Sequence, residues 1–127
     1  MKKVGKKKGA AAAKALAVAV GKIDYDPYRN FVRKPSTVLS IGGNCCDQTR
    51  LYLMACDAVG VSEYYTMKYV HVHNYSANKG HVFAKLINKQ TGKYVYVDPT
   101  HSPWWGTYLR GWGNLPGQQT TYPKAPI

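Results

Sequence analysis

Acidic side chains are scarce. Six Asp and Glu stand against eighteen Lys and Arg, a formal charge of +12, and the first 23 residues hold seven Lys and no acid. An anionic partner is implied, and nucleic acid, an acidic membrane surface and an acidic cell-wall polymer all meet that description, as does a solvated basic tail with no partner. Long apolar runs are also missing, with nothing near the roughly 20 residues that span a bilayer, so no membrane span is expected. Cysteines number three. An odd count with two of them adjacent excludes a full set of paired bridges within the chain, and reduced thiols and synthesis in the cytoplasm follow. No C-x-x-C occurs. His71 and His73 alternate onto one strand face, but a zinc site would want paired ligand sets, and no metal is assigned. No internal repeat is visible. Nucleic acid is disfavoured because no recognisable binding motif accompanies the charge, although basic and aromatic residues interleave in YYTMKYVHVHNY.

What remains is the size and composition of one domain: 127 residues, 45% of them hydrophobic. A basic leader, residues 1–9, and a single domain, 10–127, are expected. The opening MKKVGKKKGAAAAKALAVAVG copies a signal peptide in outline, yet Lys14 interrupts its apolar stretch and alanine supplies most of the bulk. A helix from Gly9 to Gly21 is favoured over a cleaved leader. The polar segment after it, broken by Pro27 and Pro35, reads as extended. Leu51, Met54, Ala55, Ala58 and Val59 then recur at helical spacing, which predicts a helix over Cys45–Val59 with Asn44 as its N-cap, Asp47 in capping-box position and Gly60 as its stop.

Beyond that helix the pattern turns to strands. Tyr64–Val72, His81–Ile87 and Lys93–Asp98 are rich in β-branched and aromatic residues and are separated by turn-forming stretches, so an antiparallel meander is expected. The Gly-, Pro- and aromatic-rich remainder predicts a wrapping tail with one or two short strands. Parity ties two of the strands together. His81 and Asp98 lie 17 positions apart, and a hairpin with a loop of even length sets both side chains on one face as direct or diagonal neighbours. A carboxylate beside an imidazole fixes its tautomer and raises its basicity, as activation of a nucleophile requires. Cys45 begins the predicted helix, where the positive end of the dipole favours thiolate.

These residues carry a resemblance. Gly43-Asn44-Cys45-Cys46-Asp47 resembles the G-x-C-x-D segment that begins the catalytic helix of transglutaminase-like domains in the papain-like superfamily, while Gly80-His81-Val82-Phe83 and Val97-Asp98-Pro99-Thr100 resemble their histidine and aspartate strands. Within that superfamily the chain is most similar to archaeal and viral pseudomurein endoisopeptidases, whose Y-x-x-Y ahead of the G-N-C helix is matched by Tyr25 and Tyr28. The likeness runs from about Ala10 to Thr100. It implies a papain-like α+β fold, N-terminal helices with the catalytic one packed on an antiparallel sheet, and a triad of Cys45 as nucleophile, His81 as general base and acid, and Asp98 as orienter. It further implies hydrolysis of alanine–ε-lysine isopeptide cross-links in pseudomurein, an anionic archaeal wall polymer, by a protein made in the cytoplasm and acting at the wall. Such enzymes usually carry wall-binding repeats ahead of the domain; here a Lys-rich leader stands in that place.

Alternatives stay open at this level. The same thiol chemistry would serve a transglutaminase or deamidase acting on glutamine side chains, and a noncatalytic basic module would also use the charge. Cys46, about 100° further round the helix, and Cys56 are assigned to the core. Tyr28 and Asn30 are candidates for the second oxyanion donor and for substrate contact. Trp104 and Trp105, with Trp112, either line a substrate cleft or bury the tail, and His101 is placed at the rim. No cofactor is expected beyond the reduced thiol, with calcium left open, and a monomer is expected.

Overall fold

A computed structural model of the chain describes residues 9–23, 38, 42–43, 45–74, 79–99, 104–106 and 118–122. Its elements are α1 (Gly9–Gly21), α2 (Cys45–Ala58), one 3₁₀ turn (Val61–Glu63), and strands β1 (Tyr65–Asn74), β2 (Lys79–Asn88), β3 (Tyr94–Asp98), β4 (Trp104–Gly106) and β5 (Gln118–Thr121). The expected α+β class is found: two helices and an antiparallel sheet in the order β4-β3-β2-β1-β5. β1, β2 and β3 form the anticipated meander, and β4, from the segment expected to wrap as a tail, continues it beside β3. β5 leaves that sequence and pairs with the far side of β1, Lys68 opposite Thr121 and Val70 opposite Gln119.

Alanine-rich α1 is a core element. Ala13, Ala17 and Val20, spaced to share one helical face, are at most 5% exposed and pack with Tyr52, Leu53 and Cys56 of α2. The Tyr52 hydroxyl donates to the Ala13 carbonyl across the helix pair at 3.0 Å. No helix among the described residues is long and apolar enough to cross a membrane.

The buried face of α2 differs from the expected one. Met54 and Ala58 are exposed and Leu51 and Ala55 only half-buried, whereas Cys46, Asp47, Gln48, Thr49, Tyr52, Leu53 and Cys56 are buried. Among the polar members of that face, Gln48 and Thr49 donate from their side chains to backbone carbonyls, so hydrophobic periodicity alone points the helix the wrong way. Gly60 ends the element as anticipated, at φ 88, where a side chain would be strained.

The sheet separates two apolar layers. Met67, Tyr69, Val82, Ala84, Leu86 and Val97 face the helices. Val70, Val72 and Phe83, with Tyr96 against them, form a second cluster. Alternation along the strands places this second cluster on the outer face, together with Lys68, His81, Lys85, Tyr94 and Asp98.

Candidate active site

β1 and β2 pair along their whole length, Tyr65 with Asn88 through to Asn74 with Lys79, but β2 and β3 pair only from Ile87–Tyr94 to Ala84–Val97. Even-numbered residues of β2 turn their backbone groups toward β3; the Asn88 amide donates to the Lys93 carbonyl at 2.8 Å. Val82 is the next such residue beyond the ladder, and the N-terminus of α2 takes the place of β3 there. Thr49 Oγ1 donates to the Val82 carbonyl at 3.1 Å, and the Val82 amide donates to the Cys45 thiol. Cys45 and Thr49, four residues apart on one helical face, thus engage both backbone groups of the residue next to His81. The start of α2 is fixed where the two strands part.

On the strand side, the β2–β3 register continued by one step sets Asp98 across from Phe83, which makes His81 its diagonal neighbour. His81 Nε2 and Asp98 Oδ2 are 2.7 Å apart, with side chains 14% and 21% exposed. Nε2 is thereby committed to the carboxylate, and Nδ1 is the nitrogen left for the Cys45 thiol, with which His81 also shares a hydrogen bond. Phe83 stacks beside the imidazole, with ring centroids 5.9 Å apart.

The electrostatics of the pair run in opposite directions. Burial raises the Cys45 thiol, but the hydrogen bond and charge of His81 and the Val82 amide outweigh it, so that its pKa lies below the ordinary value. Burial lowers His81, and its bonds to Asp98 and Cys45 overcome that and push it up to about 9. Together these favour a thiolate beside an imidazolium. The other two thiols behave differently: burial and the neighbouring Cys45 push Cys46 up to about 11, and burial pushes Cys56 up to about 12. Cys46 is 1% exposed and Cys56 fully covered, in keeping with their assignment to the core.

Gly43 explains why the segment tolerates only a small residue two positions before Cys45. A Cβ there would stand 2.7 Å from Asp47 Cβ and 3.0 Å from its Oδ2, and Asp47 is itself buried. Gln48, which the sequence reading missed, donates from Nε2 to the Ile23 carbonyl after α1 and to the Gly43 carbonyl, each at 3.3 Å. Thr49 was missed as well. Its signal was available in the four-residue spacing from Cys45.

Of the remaining candidates, Trp104 and Trp105 lie in β4, their backbones paired with Asp98 and Val97 respectively, so β4 flanks the carboxylate. Asn44, Tyr25, Tyr28, Asn30, His101 and Trp112 lie outside the described residues. His71 is half-buried on the helix side of β1, and no group of three or more His, Cys, Asp and Glu that would hold a metal ion occurs among the described residues. A concavity of about 360 Å³ lined by Glu63, Tyr64, Tyr65, Asn88, Lys89 and Gln90 sits where β1 begins and β2 ends, at the far end of the sheet from Cys45, and contains none of the three residues.

No protein-family model and no curated protein matches this chain. Solved structures do. Legionella pneumophila LapG superposes with a TM-score of 0.68 at 16% identity over 88% of this chain, and its calcium-bound form with 0.66 at 14% identity over 98%. An EGTA-treated form also matches at 0.68. The chain spans 64% of the length of the first of these and 73% of the calcium-bound one. At such identities the likeness is one of fold: the α+β arrangement of helices against an antiparallel sheet is shared with LapG. The described residues offer calcium no cluster of carboxylates.

Proposed function

We propose that this chain is a cysteine peptidase in which Cys45 attacks an amide carbonyl, His81 moves the proton and Asp98 holds the imidazole. The observation that carries this reading is the convergence of a lowered thiol and a raised imidazole at the parting of β2 and β3, with the imidazole tied to Asp98 at 2.7 Å. Thiolate Sγ adds to the carbonyl carbon, and the oxyanion that develops lies at the N-terminus of α2, where the positive end of the helix dipole favours negative charge. The tetrahedral species collapses as imidazolium gives its proton to the departing amine, leaving a thioester. Imidazole then takes a proton from water, hydroxide displaces the thiolate, and a carboxylic acid is released.

The proposed substrate is the alanine–ε-lysine isopeptide cross-link of pseudomurein. The support is the motif likeness together with a +12 charge suited to an anionic wall polymer. The test is incubation of purified protein with pseudomurein sacculi, followed by turbidity and released amino groups, with murein and glutamine peptides as comparison substrates. Clearing by the native protein and by Cys46→Ala, and none by folded Cys45→Ala, is the expected result. Cleavage of linear peptides without sacculi would keep the peptidase and discard the wall substrate. Full activity in Cys45→Ala would discard both.

A further inference from the structure

The outer face of the sheet carries an arrangement that the peptidase chemistry does not use. Lys68 of β1 and Lys85 of β2 are direct cross-strand partners, which sets two ammonium groups side by side on one face, an unfavourable pairing for a sheet. Lys85 is not simply waving in solvent. It is half-buried, with Nζ 4.4 Å from the Tyr94 ring centroid and 5.6 Å from that of Tyr96. The two tyrosines stack edge to face at 5.3 Å, and Tyr94 is 43% exposed. Partial burial and the charge of Lys68 lower the Lys85 pKa, as a missing counter-charge would. The only carboxylate among the described strand residues is Asp98, and it is engaged with His81. Across β1, Thr121 of β5 faces Lys68 and is exposed, so the pair is open on that side.

We propose that Lys68 and Lys85, framed by Tyr94 and Tyr96, form a docking site for an acidic stretch of polypeptide. A single carboxylate seated between the two ammoniums relieves their repulsion, and the tyrosine faces accept the aliphatic or peptide portion of the same residue. Nucleic acid fits less well, because its affinity grows with the number of phosphates contacted, and one cross-strand pair offers contacts for only about one or two. Lys85 lies four positions along β2 from His81, about 13 Å along the strand. If the acidic stretch belongs to the substrate, a point that rests on the peptidase reading, its carboxylate lies about four extended residues from the bond that is cut.

The site is testable without any turnover. Fluorescein-labelled hexaglutamate is titrated with the whole protein and followed by anisotropy, with labelled hexaglutamine and a single-stranded oligonucleotide as comparisons. The variants are Lys68→Gln/Lys85→Gln and, as a control removing the same charge from exposed positions elsewhere, Lys89→Gln/Lys93→Gln. The first pair should weaken hexaglutamate binding about tenfold and the control pair less than about twofold. Lys68→Gln alone, which keeps the Lys85–tyrosine contacts, carries the same comparison if the double variant does not fold. Equal weakening by both pairs would reduce the effect to general attraction by a +12 protein and overturn the site. Tighter binding of the oligonucleotide, lost in the first pair, would overturn the choice of polypeptide.

Discussion

Replacing Asp98 with Asn keeps the shape beside His81 and removes the charge. In the native site, burial alone would pull the imidazole down, and the bonds and charges of Asp98 and Cys45 instead lift it from 6.5 to about 9. A displacement of that size corresponds to roughly 3 kcal/mol in favour of imidazolium, shared between the two partners. With Asn at position 98 the thiolate must oppose burial by itself. The alkaline limb of the pH–rate profile, near 9 in the native protein, should therefore move toward 6.5, and the acid limb should move up as Cys45 loses part of the cation that lowers it. Plateau turnover should fall by up to about 10⁴, the cost of the same change in a serine triad. Stability gives an independent sign. A raised imidazole contributes fully below pH 6.5 and loses its contribution as pH rises through about 9, so the native protein should exceed Asp98→Asn in stability most near pH 6 and least near pH 10. The rate of iodoacetamide alkylation of Cys45 against pH reads the thiol without any assumed substrate. Superimposable alkylation and stability profiles for the two proteins would refute the role given to Asp98.

Two further substitutions probe how the site is held. Thr49→Val preserves volume and leaves the Val82 carbonyl without its donor, which should cost about 1–3 kcal/mol, or roughly 4–11 °C in Tm for a chain of this length, with a loss of turnover larger than the loss of folded protein; calorimetry and kinetics on one preparation check it. Gly43→Ala forces the first turn of α2 away from its neighbour, with an overpacking cost of about 1–3 kcal/mol, and slower alkylation of Cys45 in the folded fraction is the expected reading.

Much of the architecture was legible because each element obeys a local rule. Ala13, Ala17 and Val20 repeat at helical spacing, and α1 runs from Gly9 to Gly21 as anticipated. The strands carry β-branched and aromatic residues, but β1 and β2 extend to Asn74 and Lys79, beyond those residues, because pairing continues into polar positions with no apolar pattern to mark them. Parity foresaw that His81 and Asp98 share a face; it left direct and diagonal placement open, since that depends on where the ladder stops. The parting of β2 and β3 at Val82 was not legible, because the partner of Val82 is a helix terminus distant in sequence. Gln48, Thr49 and Tyr52 look like solvent-facing positions until the backbone groups they serve are known. β5 was obscured because QQTT has no apolar alternation, and the edge it covers is set by strands formed long before it in the chain.

That last strand has a consequence for how the protein is made. Cys45, His81, Asp98 and the β1–β2–β3 core are all complete in a nascent chain that has not yet reached Gln118. Until then the outer backbone of β1, flanked by Met67, Tyr69, Val70 and Val72, is an open template for any passing strand. A polar segment that pairs with only four residues of β1 closes it. Chains that stop short of β5 should thus assemble edge to edge with one another while their thiol site is already formed, so that self-association, rather than lost chemistry, is the first fault of an incomplete copy.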